Sequence, residues 1–375
     1  MAEKTILSLL RETFPASTKE DWKRTASQEI DGQDPFQILA WKSSDQAAFL
    51  PYYDREDINA LEYLKEFQFF PSHQSYSGPG GWVSLLPVVV TNAVTANKIA
   101  LEHLNQGADG ILFDLRTGEH HSPKELLHAI EWPYCTLSFR VSSQDTAIQL
   151  YEYLAKKKYD VTKVNGSLFW EKIPENNIPG LDTQKNIQGM GLWIPSSTPA
   201  EEISAALVQG VHAVDHLVKR NGLSIGTAIH QVAFSLPADT NFLLTIAKFK
   251  ALRLLWFQVA QAYGVKAYTP GMLHLHARSE AWVNEDFQPH GNLLNSTTAA
   301  LALVLGGCNA LSVFTEDANN VMMSRMARNV SNILQEESHV DKVANPVAGA
   351  YAIEAIVHEL AREAWEKFQS AVRAF

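Results

Sequence analysis

Cysteine is scarce: the 375 residues hold only Cys135 and Cys308, both inside apolar runs. A disulfide framework needs more cysteines and an oxidising compartment, so both read as buried free thiols. No stretch reaches the roughly 20 apolar residues that cross a bilayer, so a membrane partner is not expected. The opening MAEKTILSLLRETF scatters charges among its apolar residues and lacks the apolar core of a signal peptide, so the expected location is cytoplasmic. Positive charge is also short. With 31 Lys+Arg against 41 Asp+Glu the net charge is −10, which repels phosphate backbones and sets nucleic acid aside. No strand-to-helix turn carries G-x-G-x-x-G or G-x-x-x-x-G-K-[ST], and none forms a nucleophile elbow, so dinucleotide, P-loop and hydrolase readings lose their main signals.

Apolar residues make up 46% and charged residues 19%, enough for a large core and too few charges for disorder. Residues 1–80 read as an arm, partly extended and serving subunit contact. A short helix over about Glu3–Phe14 opens it, and the cluster Ser75, Ser77, Gly78, Pro79, Gly80, Gly81 ends it. Residues 81–375 then cycle. Strand-like runs at 82–90, 110–115, 135–141, 166–170, 189–195, 230–236, 272–280 and 310–314 alternate with helical patterns. Helices are expected at 95–106, 123–130 and 144–158, after Thr198-Pro199, from near Asn241, over NLLNSTTAALALVLGG, through SRMARNVSNILQEES and over about Val347–Val372. Only the fourth strand lacks a clear helix after it. Eight such units predict an α/β fold, a (β/α)8 TIM barrel with an N-terminal arm and a C-terminal helix. An open doubly wound sheet is the other architecture, without its nucleotide signals.

The conspicuous polar strand is MLHLHARSE (272–280). Alternation puts His274, His276, Arg278 and Glu280 on one face, and Leu273, Leu275 and Ala277 on the other. Such a face can line a polar pocket, make structural hydrogen bonds or hold a metal, but no third ligand stands at a telling spacing. His120-His121 read as a solvated loop. His212 and His216 stand four apart without the H-E-x-x-H glutamate and read as ordinary helix histidines. Glu336-Glu337 end a helix, where a carboxylate opposes the helix dipole. Residue chemistry alone leads to a barrel with a histidine-containing interior.

Four long segments carry a resemblance: TNFLLTIAKFKALRLLW (240–256), GNLLNSTTAALALVLGGCNALSVF (291–314), RMARNVSNILQEES (325–338) and NPVAGAYAIEAIVHELAREAWEKF (345–368). They are similar in order and spacing to the substrate barrel of the methylmalonyl-CoA mutase family. The family resemblance implies specific replacements. Pro87 stands for the first-strand tyrosine beside the substrate, and Gly191 for the histidine that contacts the thioester carbonyl. Gln231 stands for an arginine on coenzyme A, and Asn295 for the arginine of an N-x-x-R motif. Asn309 stands for a glutamine near the corrin, and Ser312 for a nearby histidine. Retained are His276, Lys248, Arg253, Arg328, Asn329 and Glu337, the last matching a ribose-contacting glutamate.

The resemblance thus implies a small, non-catalytic (beta) subunit with no catalytic residue of its own and a vestigial pocket of His274, His276, Arg278, Asn309 and Glu337. The cobalt-ligating D-x-H-x-x-G occurs nowhere in these residues. No cobalamin domain is expected within them, and adenosylcobalamin is expected on a catalytic large subunit that completes a heterodimer. Two other readings stay open: a barrel subunit working with a separate cobalamin-binding chain, and an acyl-CoA-binding module without chemistry.

Overall fold

A computed structural model of the chain describes residues 17–42, 48–61, 63, 79–117, 122–181, 183, 184, 186–280, 291–315 and 320–373. The expected helix over Glu3–Phe14, most of the serine-glycine cluster before Pro79, and His120-His121 lie outside them. The described part of the arm is partly extended, as expected, with short helices along it. It contains α1 (Lys19–Glu29), α2 (Pro35–Ile38), the short antiparallel strands β1 (Trp41–Lys42) and β2 (Ala48–Phe49), and α3 (Arg55–Ile58). Thr18 and Asp54 open α1 and α3 with reciprocal capping boxes to Asp21 and Asp57. These caps satisfy end N–H groups that no earlier turn can reach.

Eight strands follow: β3 (Val83–Val89), β4 (Gly110–Asp114), β5 (Thr136–Val141), β6 (Gly166–Trp170), β7 (Ile187–Trp193), β8 (Val232–Pro237), β9 (His274–Arg278) and β10 (Ala310–Ser312). They close in sequence order, β10 returning to β3, and every pairing around the barrel is parallel. This is the (β/α)8 barrel the alternating pattern predicts. Period-two alternation splits the core into two. Outward residues such as Leu86, Ile111, Phe139, Met190, Phe234 and Leu275 pack under the helices. Inward Leu85, Leu112, Phe169, Trp193, Ala233 and Ala310 form a separate cluster on the barrel axis.

The helices between strands are α4 (Ala93–Asn105), α5 (Pro123–Leu126), α6 (Gln144–Lys157), α7 (Pro199–Asn221), α8 (Ile225–Gln231), α9 (Phe242–Ala262), α10 (Gly291–Leu305) and α11 (Val321–Asn332). A π-helical turn, Ile333–Glu337, continues α11, and α12 (Tyr351–Arg373) ends the described chain. None of the described helices is long and apolar enough to cross a membrane. Two expectations change. The helix expected over 123–130 is a single turn, and the chain leaves it through Ala129 at φ 58, a left-handed conformation that a helix does not continue. A short unexpected helix, α8, precedes β8, opened by Ser224, whose side chain accepts from Thr227 N.

Helix α9 explains why charged residues are buried. It lies between the barrel and α12, and it also meets α7 and α10, so nearly its whole circumference is covered. Lys248 pairs with Glu202 of α7 at 2.6 Å, and Lys250 with Glu354 of α12 at 2.7 Å, all four side chains nearly or fully buried. Burial raises the Glu202 carboxyl against the pull of Lys248. Arg253 has no carboxylate among its hydrogen bonds. Its guanidinium donates to the carbonyls of Pro270 (2.9 Å), Leu273 (2.7 Å) and Gly307 (2.7 Å), and to Asn309 Oδ1 (3.1 Å). It thereby ties together the segments that enter β9 and β10, and burial pulls its pKa down to about 10.

Breaking a buried pair from one side leaves an uncompensated charge, at a cost of about 3–5 kcal/mol. Glu354→Ala is therefore expected to lower the urea-unfolding free energy by about that amount, with Lys250→Met added to it restoring most of the loss. A single-variant loss below ~1 kcal/mol, the size of an exposed pair, would contradict this reading.

Candidate functional site

The barrel interior holds one continuous polar chain. His276, fully buried on β9, is flanked by Ser235 of β8, its register partner, and by Ser312 of β10, the register partner of Arg278. Ser235 Oγ lies 2.8 Å from His276 Nδ1, and Ser312 Oγ lies 2.9 Å from Nε2. Ser312 Oγ–H donates to Leu85 O at 2.8 Å, so it can only accept from the imidazole. That assigns the proton to Nε2 and makes Nδ1 the acceptor of the Ser235 hydroxyl. Ser235 Oγ in turn accepts from Arg278 Nη1 at 3.1 Å, while the same nitrogen donates to Ser235 O at 2.7 Å. Arg278 Nη2 donates to Ile194 O. Every donor in the chain has an acceptor, and His276 is neutral. Burial, with the Arg278 charge beside it, holds its pKa well below the ordinary imidazole value.

The faces of the imidazole are covered too. The Phe169 ring centroid lies 5.0 Å from that of His276, and the Trp193 centroid 6.0 Å. Trp193 also meets Phe169 edge-on at 6.1 Å and Phe314 at 6.5 Å. Gly191 sits between them on β7. A Cβ there would lie 2.6 Å from Phe169 Cδ1 and 2.7 Å from Leu168 O. Phe169 thus fills the space that a histidine at 191 would need. Pro87 occupies an inward position of β3, two residues after Leu85. Val83 N bonds the β10 side (Asn309 O, 3.0 Å) and Val90 N the β4 side (Asp114 O, 3.0 Å). By alternation the Pro87 nitrogen faces β10, which β3 pairs with only through Ser84. Its missing N–H costs no ladder bond.

The remaining expected positions do not join this chamber. His274 is half-buried, one pleat before His276 on the same strand. Asn309 precedes β10, and its Oδ1 accepts from Leu275 N (2.8 Å) as well as Arg253. Gln231 Oε1 accepts from Gly189 N at 2.8 Å, closing the start of β7. Asn295 lines a separate groove of about 210 Å³ between α9 and α10, with Asp239, Thr240, Phe242, Thr245 and Thr298. Glu337 is exposed. Its π-turn lies near the strands' N-terminal ends, since Gln335 Nε2 donates to Trp82 O (2.9 Å), just before β3. The vestigial pocket inferred from the resemblance is therefore not one pocket: only His276 and Arg278 share it, with His274 at its edge.

Sequence reading passed over Phe169, Trp193, Arg140 and Asp114, which the barrel brings to the interior and its C-terminal mouth. A signal existed for the last two, since each is a charged residue at or next to the end of a strand run, where a barrel places its ligands. Gly222-Leu223-Ser224-Ile225-Gly226 has G-x-S-x-G spacing, but it joins two helices and Ser224 is a helix cap.

Two outcomes follow from this geometry. Gly191→His is expected to destabilise the fold by about 1–3 kcal/mol or more through overpacking, with Phe169→Ala added to it recovering part of the loss. Unfolding in urea reads both, and a stable, unperturbed single variant would contradict the packing. The folded-state pKa of His276 lies below its unfolded value near 6.5, so the native state binds fewer protons. Its contribution is complete above about pH 6.5 and is lost as pH falls below that value. His276→Gln should flatten part of the decline in urea midpoint between about pH 7.5 and 5.5. His103 and His216, which burial also lowers, contribute to that decline in the same direction. An unchanged slope would contradict the assignment.

Against known proteins, the family model described as methylmalonyl-CoA mutase matches residues 150–374, more than half of the chain. The methylmalonyl-CoA mutase small subunit of Porphyromonas gingivalis is 26% identical over 95% of this chain and 63% of its own length. The Streptomyces virginiae small subunit is 35% identical over 48% of this chain and 29% of its own. A methylmalonyl-CoA mutase of Rhizobium meliloti is 29% identical over 48% of this chain and 26% of its own. The chain thus spans under two thirds of the length of each of these relatives. With a core of eight parallel strands and this match along its second half, the chain belongs to the methylmalonyl-CoA mutase family.

Proposed function

We propose that this chain is the non-catalytic barrel subunit of a heteromeric adenosylcobalamin-dependent mutase, and that a catalytic large subunit carries the interconversion of methylmalonyl-CoA and succinyl-CoA. The observation that carries the reading is the closed interior. Phe169 fills the space beside Gly191, and both nitrogens of His276 are held by serines. A barrel enzyme of this kind needs a chamber that shields and orients a radical, with donors aimed at the reacting carbonyl. Losing one such donor costs about 2.7–4 kcal/mol at a transition state. Here the one interior imidazole among the described residues has no free nitrogen to offer. The relatives named as small subunits favour the same reading.

The cofactor that the family implies does not fit the described residues. Asn309, the position expected near the corrin, is bound to Arg253 and the β9 backbone. Glu337, expected at the adenosyl ribose, is exposed beside the strands' N-terminal ends and far in the fold from the mouth. The cofactor accordingly belongs to the partner subunit in this reading. The same filled interior disfavours a mutase barrel that borrows only a cobalamin-binding chain.

The purified chain, supplied with adenosylcobalamin and methylmalonyl-CoA, is expected to form no succinyl-CoA. Co-expressed with the large subunit of its own host, it should co-elute with that subunit in an active complex. Turnover by the chain alone would overturn the reading, as would full activity of the large subunit with no association between the two.

A further inference from the structure

A charge cluster at the barrel mouth plays no part in that role. Asp114 ends β4, Arg140 is the penultimate residue of β5, Glu171 follows β6 and Trp193 ends β7, so four adjacent strands deliver it. Arg116, two residues beyond β4, holds Asp114 through Nε (2.9 Å) and Nη2 (2.8 Å). Its Nη1 donates to Glu171 Oε1 at 2.9 Å, and Arg140 Nη2 donates to that same oxygen. Arg140 Nη1 stands 3.6 Å from Asp114, while its buried Nε has no hydrogen-bond partner among the described residues. The guanidinium carbon of Arg140 lies 3.9 Å from the centre of the Trp193 ring, and that of Arg278 lies 4.3 Å from it.

One carboxylate oxygen shared by two guanidiniums over an aromatic ring is how a protein holds an oxyanion. Here the occupant is looser than its seat. The Glu171 side chain is 45% exposed on a turn, whereas that of Arg140 is 13% exposed and fixed against Trp193. Without Glu171, the cations Arg116, Arg140 and Arg278 outnumber the carboxylates Asp114 and Glu280 paired with them among the described residues. Glu202, which also acts on Arg278, is neutralised by Lys248, which leaves the seat positive. Burial, and the neighbouring Arg116 charge, already lower the Arg140 pKa, so an added anion is favoured there. The seat lies at the C-terminal ends of barrel strands, where this fold places its ligands.

We propose that the barrel mouth binds a small oxyanion, a carboxylate or a phosphate, on Arg116 and Arg140 beside Trp193, with Glu171 as the built-in carboxylate that the ligand displaces. The site adjoins the His276 chamber, sharing Trp193 and Arg278 with it, and does not depend on the subunit role.

The test is calorimetric titration of the full chain with malonate and, separately, inorganic phosphate, at constant ionic strength. The Trp193 indole N–H, assigned with Trp193→Phe, reports binding at the seat by NMR. Glu171→Gln should bind at least one anion about fivefold tighter than the wild type, because it removes a half-exposed competing ion pair. The tighter anion identifies the ligand class. Adding Arg140→Met should abolish the gain and the indole shift, and Arg116→Gln serves the same purpose should Arg140→Met fail to fold. Glu171→Gln binding neither anion, or binding no tighter than the wild type, would overturn the proposal. So would a gain that survives loss of either arginine.

Discussion

The hydrogen-bond chain through His276 is the constraint around which the barrel interior is arranged. A parallel eight-stranded barrel has a single interior, and a histidine at its centre must be neutral or matched by charge. Here Arg278, Ser235, His276, Ser312 and the Leu85 carbonyl form one directional series across β9, β8, β10 and β3. Because each hydroxyl both accepts and donates, removing either serine would leave a buried imidazole nitrogen unpaired. The aromatic groups follow from the same constraint. Phe169 and Trp193 cover the imidazole, and Gly191 leaves the Phe169 ring its space.

The helical shell depends on a second set of buried charges. Lys248, Lys250 and Arg253 all lie on α9, which is enclosed on nearly every side. Each reaches a different part of the shell: Glu202 on α7, Glu354 on α12 and the carbonyls before β9 and β10. Lys248 and Arg253 are also among those the resemblance marks as retained, and their geometry explains that without reference to substrate. They hold the barrel together. The outer shell and the barrel interior thus rest on separate sets of buried polar groups.

Much of the fold was legible in the residues. Apolar runs four to nine residues long between amphipathic segments placed all eight barrel strands, and Thr198-Pro199 and Asn241 marked two helix starts correctly. The start at Thr198 formed for a different reason than its side chain suggests. Thr198 makes no cap bond, and Glu202 reaches back to Ser197 N at 2.9 Å instead. Short elements were misread because a local turn can stop them, as α5 stops at Leu126 and the chain turns through the left-handed Ala129. The candidate site was less legible. Period-two alternation put His276 and Arg278 together, but it carries no information about neighbouring strands. The pairing of His276 with Ser235 and Ser312, and the occupation of the Gly191 space by Phe169, depend on barrel closure and register. Asn309 and Glu337 were grouped with His276 through resemblance alone, whereas the structure gives them to the Arg253 clamp and to an exposed turn.

The central claim is that the interior imidazole is saturated and closed to ligands. Long-range proton–nitrogen NMR of the histidine side chains, with His276 assigned by substitution, addresses it directly. His276 is expected to be neutral and protonated on Nε2 around neutral pH, with that tautomer unchanged when methylmalonyl-CoA is added. A His276 that titrates near the ordinary imidazole value, or whose tautomer changes with the CoA ester, would contradict it.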